Sequence, residues 1–425
     1  MKIKKILLTG LLVMLSVGFV FANGTKEEEK QSGPVEVSFW SLFTGGDGEY
    51  FNAIIDEFNR THTDIQMTTD TVKFDNYYTK LTAALAAGNA PDLVVMHQAN
   101  LRNYIPSGQL LVLNDYLDQI NAPVDDFVAA PYDACNFDGN QYALPLDVHP
   151  IIMYVNKALL AQAGVDKIPT NYDELIAAAQ AVEQKTGAMG IACDNTTAVY
   201  KAYTLTRLFF SMMYQQDGSM LTSDNSAAAF NNEKGVVALK ALEDMVNKYG
   251  VTPSGLDYDT SVNAFKLGEA AFHFNGVWAT GTFESAQDLD FVAVPLPGLV
   301  GHPAAWSGSH TLAIPATKAK NPEHVDAILE CMLWITGHGE MWAKAGHIPT
   351  RISVQNSEAF ESLPYRKDYA GAAAFAVSPP DTAAWNEIYS SMSDLLEYAV
   401  ANNSDPATAL AEMESRVNDI ISTYN

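Results

Sequence analysis

The sequence is poor in cysteine and in basic residues. Its 425 residues include 3 cysteines, and 25 Lys and Arg face 50 Asp and Glu, which gives a formal net charge of −25. Phosphate backbones and anionic membranes attract basic surfaces, so this balance argues against both as partners. The widely spaced Cys135, Cys193 and Cys331 form no Cys-x-x-Cys motif. We expect three buried, inert thiols, although an oxidising compartment would permit one disulfide.

Sequence signatures of catalysis are also lacking. The chain has no His-Glu-x-x-His, Gly-x-Ser-x-Gly, P-loop or Gly-x-Gly-x-x-Gly pattern. The nine histidines are scattered, and none are paired at helical spacing on a convincing helix face. We therefore predict no metal, no cofactor and no enzymatic activity. A secreted glycosidase stays open as an alternative, because its two carboxylates need not show a recognisable spacing.

The N-terminus has the pattern of an export signal. Lys2, Lys4 and Lys5 precede the apolar run Ile6–Phe21, and Ala22 completes a small-residue cleavage site before residue 23. The apolar run is shorter than the roughly 20 residues of a membrane-spanning helix. We predict a signal peptide at 1–22 and a flexible leader at 23–34. With no cysteine near the cleavage site, we expect a periplasmic or extracellular protein that is not a lipoprotein.

The first hundred residues of the mature chain alternate between strand and helix patterns. Val35–Trp40, Ile65–Thr69 and Leu93–Met96 have strand character. Between the first two, the apolar residues follow the spacing of one helix face: Phe51, Ile54, Ile55 and Phe58. A second helix pattern, ended by Gly88, separates the last two strands. This β-α-β-α-β order predicts an α/β fold with a parallel sheet.

The middle of the chain does not continue this alternation of short strands and helices. Residues 141–156 form a long extended segment that contains Pro145 and Pro150. Helices are predicted over 171–185, 198–216 and 233–249, strands near 270–274, 291–294 and 311–314, and an amphipathic helix from Trp385. The length suits two or three domains. Two α/β lobes joined by the extended segment fit these patterns best.

A series of segments is similar to a known family. In chain order they are VSFWSLFTGGDGEYF (37–51), IDEFNRTHTDI (55–65), GNAPDLVVM (88–96), ALPLDVHPIIMYVNKALLAQAG (143–164), IPTNYDELIAAA (168–179), KLGEAAFHFNGVWA (266–279), WSGSHTLAI (306–314), NPEHVDAILECMLWI (321–335) and WAKAGHIPTR (342–351). Across 35–425 the chain resembles the extracellular solute-binding proteins of ABC importers, in particular the sugar-binding family that includes the periplasmic maltose-binding protein.

This resemblance implies a two-lobed periplasmic-binding-protein fold with a ligand cleft between the lobes. When the family's division is applied to this chain, one lobe comprises about 35–147 and 311–352, and the other comprises 148–310 and 353–425. The crossing segments are expected at Asp147–Ile151 and Ser307–Thr311. The Pro-interrupted middle segment agrees with a hinge at the first of these. Parallel sheets place ligands beyond the carboxyl ends of their strands, which points to residues 45–48 and 96–98.

The resemblance also implies a function. The protein would bind a mono- or oligosaccharide by closure of the lobes and deliver it to the membrane permease of an ABC importer. We expect a monomer without cofactor. The same fold with another solute, such as glycerol phosphate, a polyamine or a metal ion, is the first alternative. An anionic ligand would require several Lys or Arg in the cleft, and Arg351 is the visible candidate.

Sugars present hydroxyls and an apolar C–H face, so a site needs polar partners and an aromatic platform. The expected ligand-binding residues are Gly46, Asp47, His97, Asp147, His149, Trp278, Trp306, Gly308, His310 and Arg351.

Several of these residues have structural alternatives. Asp47 could cap the following helix, Trp278 could be core, and Arg351 could form a salt bridge across the lobes. Trp385 is assigned to the core. Met96 and His97 occupy the stretch where the maltose-binding relative carries a Trp, which argues against maltose itself and leaves another saccharide open.

Overall fold

The structure is a computed structural model that describes residues 33–44, 46–198, 201 and 203–424. The predicted signal peptide at 1–22 and most of the leader lie outside these residues. Within the described part of the chain, no helix combines the length and apolarity that crossing a membrane requires.

The strands, numbered in chain order, are β1 Val35–Ser41, β2 Ile65–Thr71, β3 Leu93–His97, β4 Asn136–Phe137, β5 Asn140–Gln141, β6 Ala143–Pro145, β7 Asp147–Asn156, β8 Met189–Ala192, β9 Ala270–Gly276, β10 Phe291–Pro295, β11 Ala305–Gly308, β12 His310–Ala313, β13 Ile348–Pro349 and β14 Ala376–Val377.

The α-helices are α1 Gly48–Thr61, α2 Phe74–Ala87, α3 Asn114–Gln119, α4 Ala129–Asp133, α5 Lys157–Ala163, α6 Tyr172–Thr186, α7 Tyr203–Tyr214, α8 Glu233–Glu243, α9 Tyr258–Lys266, α10 Thr280–Glu284, α11 Pro322–Gly337, α12 Gly339–Ala343, α13 Ile352–Gln355, α14 Glu358–Glu361, α15 Arg366–Ala370, α16 Trp385–Asn402 and α17 Pro406–Tyr424.

The first sheet has five strands in the order β2-β1-β3-β12-β6. Strand β1 pairs in parallel with β2 and β3, which confirms the predicted β-α-β-α-β unit. Helix α1 buries the four residues of its predicted apolar face, and α2 ends at Gly88 in the left-handed conformation. The late strand β12 joins this sheet antiparallel to β3. We call the elements packed on this sheet the first lobe.

The second sheet has seven strands. Its main order is β14-β11-β7-β9-β8, and β10 and β13 also pair with β7. Strand β7 is ten residues long and lies at the centre of this pairing, so it shares hydrogen bonds with four neighbours. Helices α6, α7, α8, α16 and α17 contribute to the large apolar core beside it. We call the elements packed on this sheet the second lobe.

Three passages of the chain between the two sheets lie next to β7. The first passage is Leu146, between β6 and β7, and the second is Ser309, between β11 and β12. A third runs from α12 in the first lobe to β13, which pairs with the start of β7. Leu146 donates its backbone N–H to the carbonyl of His310 at 2.8 Å, so the first two passages lie side by side.

Two sequence expectations differ in detail from the structure, and a third is confirmed. Helix α7 begins at Tyr203, so part of the helix expected from 198 falls on residues outside the described ranges. Helix α8 ends at Glu243 and continues as a π-turn through Lys248. The three cysteines are buried and free, as expected, and burial raises the pKa of each thiol.

Candidate functional site

A cavity lies between the lobes next to the second passage. We call it the inner cavity. The first lobe contributes the residues that follow β3, the second passage contributes residues 306–309, and the second lobe contributes α7, α16 and the segment before α16. Its lining residues are His97, Gln98, Ala99, Asn100, Arg207, Trp306, Ser307, Gly308, Ser309, Ser378, Pro379, Trp385, Asn386 and Tyr389.

A second cavity, of about 350 Å³, continues from the first. We call it the outer cavity. Gln98, Ser378 and Pro379 line both, so the two form one cleft. The other residues that line the outer cavity are Arg102, Asp133, Ala134, Asn136, Phe137, Asp138 and Asp381.

One wall of the inner cavity is aromatic. Helix α16 supplies Trp385 and Tyr389, whose ring centres are 6.1 Å apart. Trp306 of β11 lines the same cavity and is 6% exposed. Among the described residues, its buried Nε1 has no hydrogen-bond partner. An indole N–H is a donor only, so this group is available to a ligand oxygen.

A cation–π stack supports this wall. The Arg207 guanidinium lies 4.2 Å from the Trp306 ring centre and 4.9 Å from that of Trp278. Trp278 donates from Nε1 to the Tyr258 hydroxyl at 3.0 Å. A Cβ on Gly276 would come within 2.1 Å of three atoms of the Trp278 ring, so only glycine leaves room for this packing. The stack holds Trp306 in a fixed orientation at the cavity.

His97 is a neutral polar group at the first-lobe side of the inner cavity. Burial lowers its pKa well below the usual range, and the nearby His310 and His149 add to the effect. The Tyr78 hydroxyl accepts the backbone N–H of His97 at 2.9 Å and lies 2.8 Å from Nδ1. If that hydroxyl donates to Nδ1, the imidazole proton is on Nε2, where it can serve as a donor.

Behind the inner cavity, three histidines surround one carboxylate. We call Asp147, His149, His310 and His347 the hinge cluster. Nδ1 of His149 lies 2.8 Å from Oδ1 of Asp147, and Nδ1 of His310 lies 2.8 Å from Oδ2. Nδ1 of His347 is 3.2 Å from the same Oδ2. Trp342 adds an Nε1–H donor at 2.7 Å.

The electrostatics of the hinge cluster follow from its burial. Burial alone would raise the pKa of Asp147, but His310, His347 and His149 lower it well below the usual range, so the carboxylate is charged. Burial and the neighbouring His310 lower the pKa of His149 to about 3, so this imidazole is neutral. A fully buried carboxylate is thus held by several N–H donors at the point where the chain crosses between lobes.

The ten predicted site residues fall into separate groups. His97, Trp306 and Gly308 line the inner cavity. Asp147, His149 and His310 belong to the hinge cluster. Asp47 lies beside that cluster, with Oδ2 3.7 Å from Nε2 of His347. It occupies the N-cap position of α1, but its side chain makes no capping hydrogen bond there.

The remaining predicted residues lie elsewhere. Trp278 packs on Arg207, as described above. A Cβ on Gly46 would approach Oγ1 of Thr282 to 2.2 Å, so this loop meets the second lobe. Arg351 donates from Nε to Asp126 at 2.6 Å and lies over the Phe127 ring. It therefore forms a salt bridge within the first lobe, not the one across the lobes that was its alternative.

Sequence reasoning missed several residues that line the cleft. Trp385 is 6% exposed, which agrees with a core position, but it also lines the inner cavity. Arg207 had a usable signal, because it is a single cation in the otherwise uncharged helix YTLTRLFFSMMY. Asn100, Asn386 and Tyr389 had no such signal in the sequence. Polar residues in helices are common, and these three line the cleft only because distant segments of the chain meet there.

The two-lobed α/β fold with an interlobe cleft defines a class of ligand receptors. The chain belongs to the family of bacterial extracellular solute-binding proteins, whose family model matches residues 44–339. This confirms the resemblance drawn from the sequence segments. Members of this family are binding proteins that act outside the cytoplasm.

Individual relatives are similar over most of the chain. The arabinooligosaccharide-binding protein of Bacillus subtilis (strain 168) is 27% identical over 385 residues, which cover 86% of this chain and 85% of that protein. The cyclic alpha-maltosyl-1,6-maltose binding protein of Arthrobacter globiformis has a solved structure that matches with a TM-score of 0.75 at 26% identity, covering 92% of this chain and 100% of the other.

The fold is shared with receptors of other solutes. UgpB from Mycobacterium tuberculosis, solved in complex with glycerophosphocholine, matches with a TM-score of 0.79 at 19% identity and covers 92% of this chain and 99% of its own. At this identity the match shows the fold alone, so the ligand class of the present protein must be argued from its own cleft.

Proposed function

We propose that the protein is the saccharide receptor of an ABC importer, and that it binds an oligosaccharide in the combined inner and outer cavities. The observation that carries this proposal is the lining of one cleft by aromatic rings together with uncharged polar groups. Trp306, Trp385 and Tyr389 offer flat apolar surfaces for the C–H faces of sugar rings. His97, Asn100 and Asn386 offer donors and acceptors for hydroxyls.

The length of the cleft favours more than one sugar unit. The inner cavity ends at the second passage, and the outer cavity extends it past Gln98 to Arg102 and Asp381. A monosaccharide would fill only part of the combined cleft. The names of relatives that bind arabinooligosaccharides and maltotriose agree with an oligomeric ligand.

An anionic solute such as glycerol phosphate is less well matched. Among the described residues of the inner cavity, Arg207 is the permanent cation, and its guanidinium is stacked between two tryptophan rings. In the outer cavity, Arg102 already pairs with Asp381, and Asp133 and Asp138 add negative charge. Phosphate recognition usually relies on unpaired Arg or Lys in bidentate geometry.

The remaining parts of the proposal follow the family. The lobes comprise 35–147 with 311–352 and 148–310 with 353–425, and ligand binding shifts the population toward a closed state. The protein is exported by a signal peptide cleaved before Asn23, acts as a monomer, docks on a membrane permease and releases its ligand unchanged. Incubation with the bound oligosaccharide should therefore yield no shorter products.

The ligand class can be tested by calorimetric titration of the mature protein. We expect binding of arabino- or malto-oligosaccharides of two or more units, weaker binding of the corresponding monosaccharides, and none of glycerol 3-phosphate or spermidine. Tight binding of glycerol 3-phosphate or of spermidine, with no response to any oligosaccharide, would overturn the proposal. A thermal-shift screen selects the sugars first, since a ligand at 100 times its Kd stabilises by about 2.7 kcal/mol.

A further inference from the structure

The hinge cluster has the donor set of a transition-metal site. Asp147, His149, His310 and His347 each offer one ligand atom, and these atoms all lie within 4.8 Å of one another. All four side chains are buried, with exposures between 0% and 6%. Three imidazoles and one carboxylate are a combination that Zn²⁺ and related first-row divalent ions bind well.

The spacing of the donor atoms also fits. The three imidazole Nδ1 atoms lie 2.8, 2.8 and 3.2 Å from the Asp147 carboxylate oxygens. Ligands about 2.1 Å from a metal ion are about 3.0 Å apart at right angles and about 3.4 Å apart in a tetrahedron. These nitrogen–oxygen separations fall within or just below this range, whereas the four ligand atoms as a set are up to 4.8 Å apart. The side chains would therefore draw together around an ion.

The hydrogen bonds of the hinge cluster do not include His347. A carboxylate offers about four lone-pair positions. Asp147 already receives the Nδ1 groups of His149 and His310, the backbone N–H of His310 and the indole N–H of Trp342, at 2.7–3.0 Å. Among the described residues, neither nitrogen of the fully buried His347 has a hydrogen-bond partner.

A second carboxylate stands behind His347. Its Nε2 is 3.7 Å from Oδ2 of Asp47, whose Oδ1 is buried without a hydrogen-bond partner among the described residues. Histidines that bind a metal through one nitrogen usually direct the other N–H to a carboxylate. Trp342 stacks on the same imidazole at 4.2 Å and fixes its plane. Two carboxylates would also balance the charge of a divalent ion.

We propose that the hinge cluster binds one divalent transition-metal ion of the zinc class, with Asp147, His149, His310 and His347 as ligands and Asp47 as the carboxylate that orients His347. Asp147 and His149 belong to β7, which follows the first passage. His310 begins β12 after the second passage, and His347 precedes β13 on the third. The ion would connect all three passages and restrict the change in angle between the lobes.

The test uses tag-free mature protein, treated with EDTA and then equilibrated with ZnSO₄, both as folded protein and during refolding from denaturant. We expect one zinc per chain by elemental analysis after gel filtration, and a Co²⁺ derivative with visible d–d absorption. His347→Gln and His149→Gln should each lose more than 90% of the bound zinc. The control His302→Asn removes an exposed histidine paired with Asp217 and should retain one zinc.

Two results would overturn the proposal. The first is wild-type protein with less than 0.1 zinc per chain after both treatments. The second is unchanged zinc content in the two cluster variants, which would indicate surface binding. Should the variants fail to fold, the wild type still decides, because a specific site raises its melting temperature until one equivalent of zinc is added and no further. A melting temperature that does not respond to zinc would contradict the site.

Discussion

Arg102 and Asp381 form an ion pair that joins the two lobes across the mouth of the cleft. Both Nε and Nη2 of the guanidinium donate to the carboxylate, and both side chains line the outer cavity. Arg102 belongs to the short helix after β3 in the first lobe, and Asp381 precedes α16 in the second. The pair exists only when the lobes are close, so it favours the closed state.

Removal of this pair should weaken ligand binding without affecting folding. The side chains are 45% and 44% exposed, and exposed pairs contribute about 0.2–1 kcal/mol. We expect Arg102→Ala and Asp381→Ala each to weaken oligosaccharide binding about 1.4–5-fold, and the double variant to be no worse than either. Calorimetry measures this.

The control for that experiment is an ion pair within one lobe. Lys80 and Asp70 are similarly exposed, at 43% and 55%. Lys80→Ala should leave the affinity unchanged. Additive losses in the Arg102 and Asp381 double variant would show that the two residues act separately and not as a pair.

Trp385 should be a major source of binding energy. Truncation of a buried aromatic anchor costs about 2 kcal/mol or more, so Trp385→Ala should weaken oligosaccharide binding at least ~30-fold. The matched control is Trp334→Ala. Trp334, in α11 of the first lobe, stacks on His338 and is not among the cleft-lining residues. Trp334→Ala should lower the melting temperature and leave the oligosaccharide affinity unchanged. Equal losses of affinity in both variants would show that Trp385 is not an anchor for the ligand.

Gly308 should not tolerate a side chain. A Cβ at this position would lie 2.1 Å from Nε2 of His149, because the register of β11 and β7 places the two residues opposite each other. Overpacking of this kind costs about 1–3 kcal/mol, so we expect Gly308→Ala to lower the free energy of unfolding by that amount. Denaturant titration provides the measurement.

Gly337 is the control position for the Gly308→Ala substitution. It lies in α11, and a Cβ there would have no neighbour within 4 Å. Gly337→Ala should leave stability unchanged or raise it by about 0.4–1 kcal/mol. If Gly308→Ala were equally neutral, His149 would have to move freely, contrary to its buried contact with Asp147.

Glu243 should make stability fall as the pH rises. Glu243 is 2% exposed. Burial raises its pKa to about 7; Lys240 opposes this shift, and Asp244 and Asp405 add to it. The folded state therefore holds the proton more tightly than the unfolded state, whose pKa is near 4.5. Between these values the free energy of unfolding decreases with pH, and the cost is complete above pH 7.

The variant Glu243→Gln removes this cost. A pKa of about 7 in the folded state against 4.5 in the unfolded state corresponds to at most about 3 kcal/mol. We expect the variant to be more stable than the wild type by about 1–3 kcal/mol at pH 8.5 and equal to it within about 0.5 kcal/mol at pH 4.5. Urea unfolding at both pH values measures the difference. The same gain at both would mean that the carboxyl does not titrate in this range.

Local sequence patterns determined most of the lobes. The spacing of Phe51, Ile54, Ile55 and Phe58 specifies the buried face of α1, since a helix repeats every 3.6 residues. The alternation in Val35–Trp40 specifies β1 in the same way. Such periodic patterns extend over about ten residues, so the sequence alone could predict the strands, the helices and their order. The series of segments similar to known proteins also indicated the family.

The ligand cleft and the hinge cluster were decided by tertiary structure. Strand register places His149 opposite Gly308 and His310 opposite His97, although these partners are more than 150 residues apart in the chain. Asp47 and Trp278 are both among the residues expected to bind the ligand, but Asp47 lies beside His347 and Trp278 is stacked on Arg207. No local sequence pattern predicts these long-range contacts, because they depend on which edges of the two sheets the chain connects.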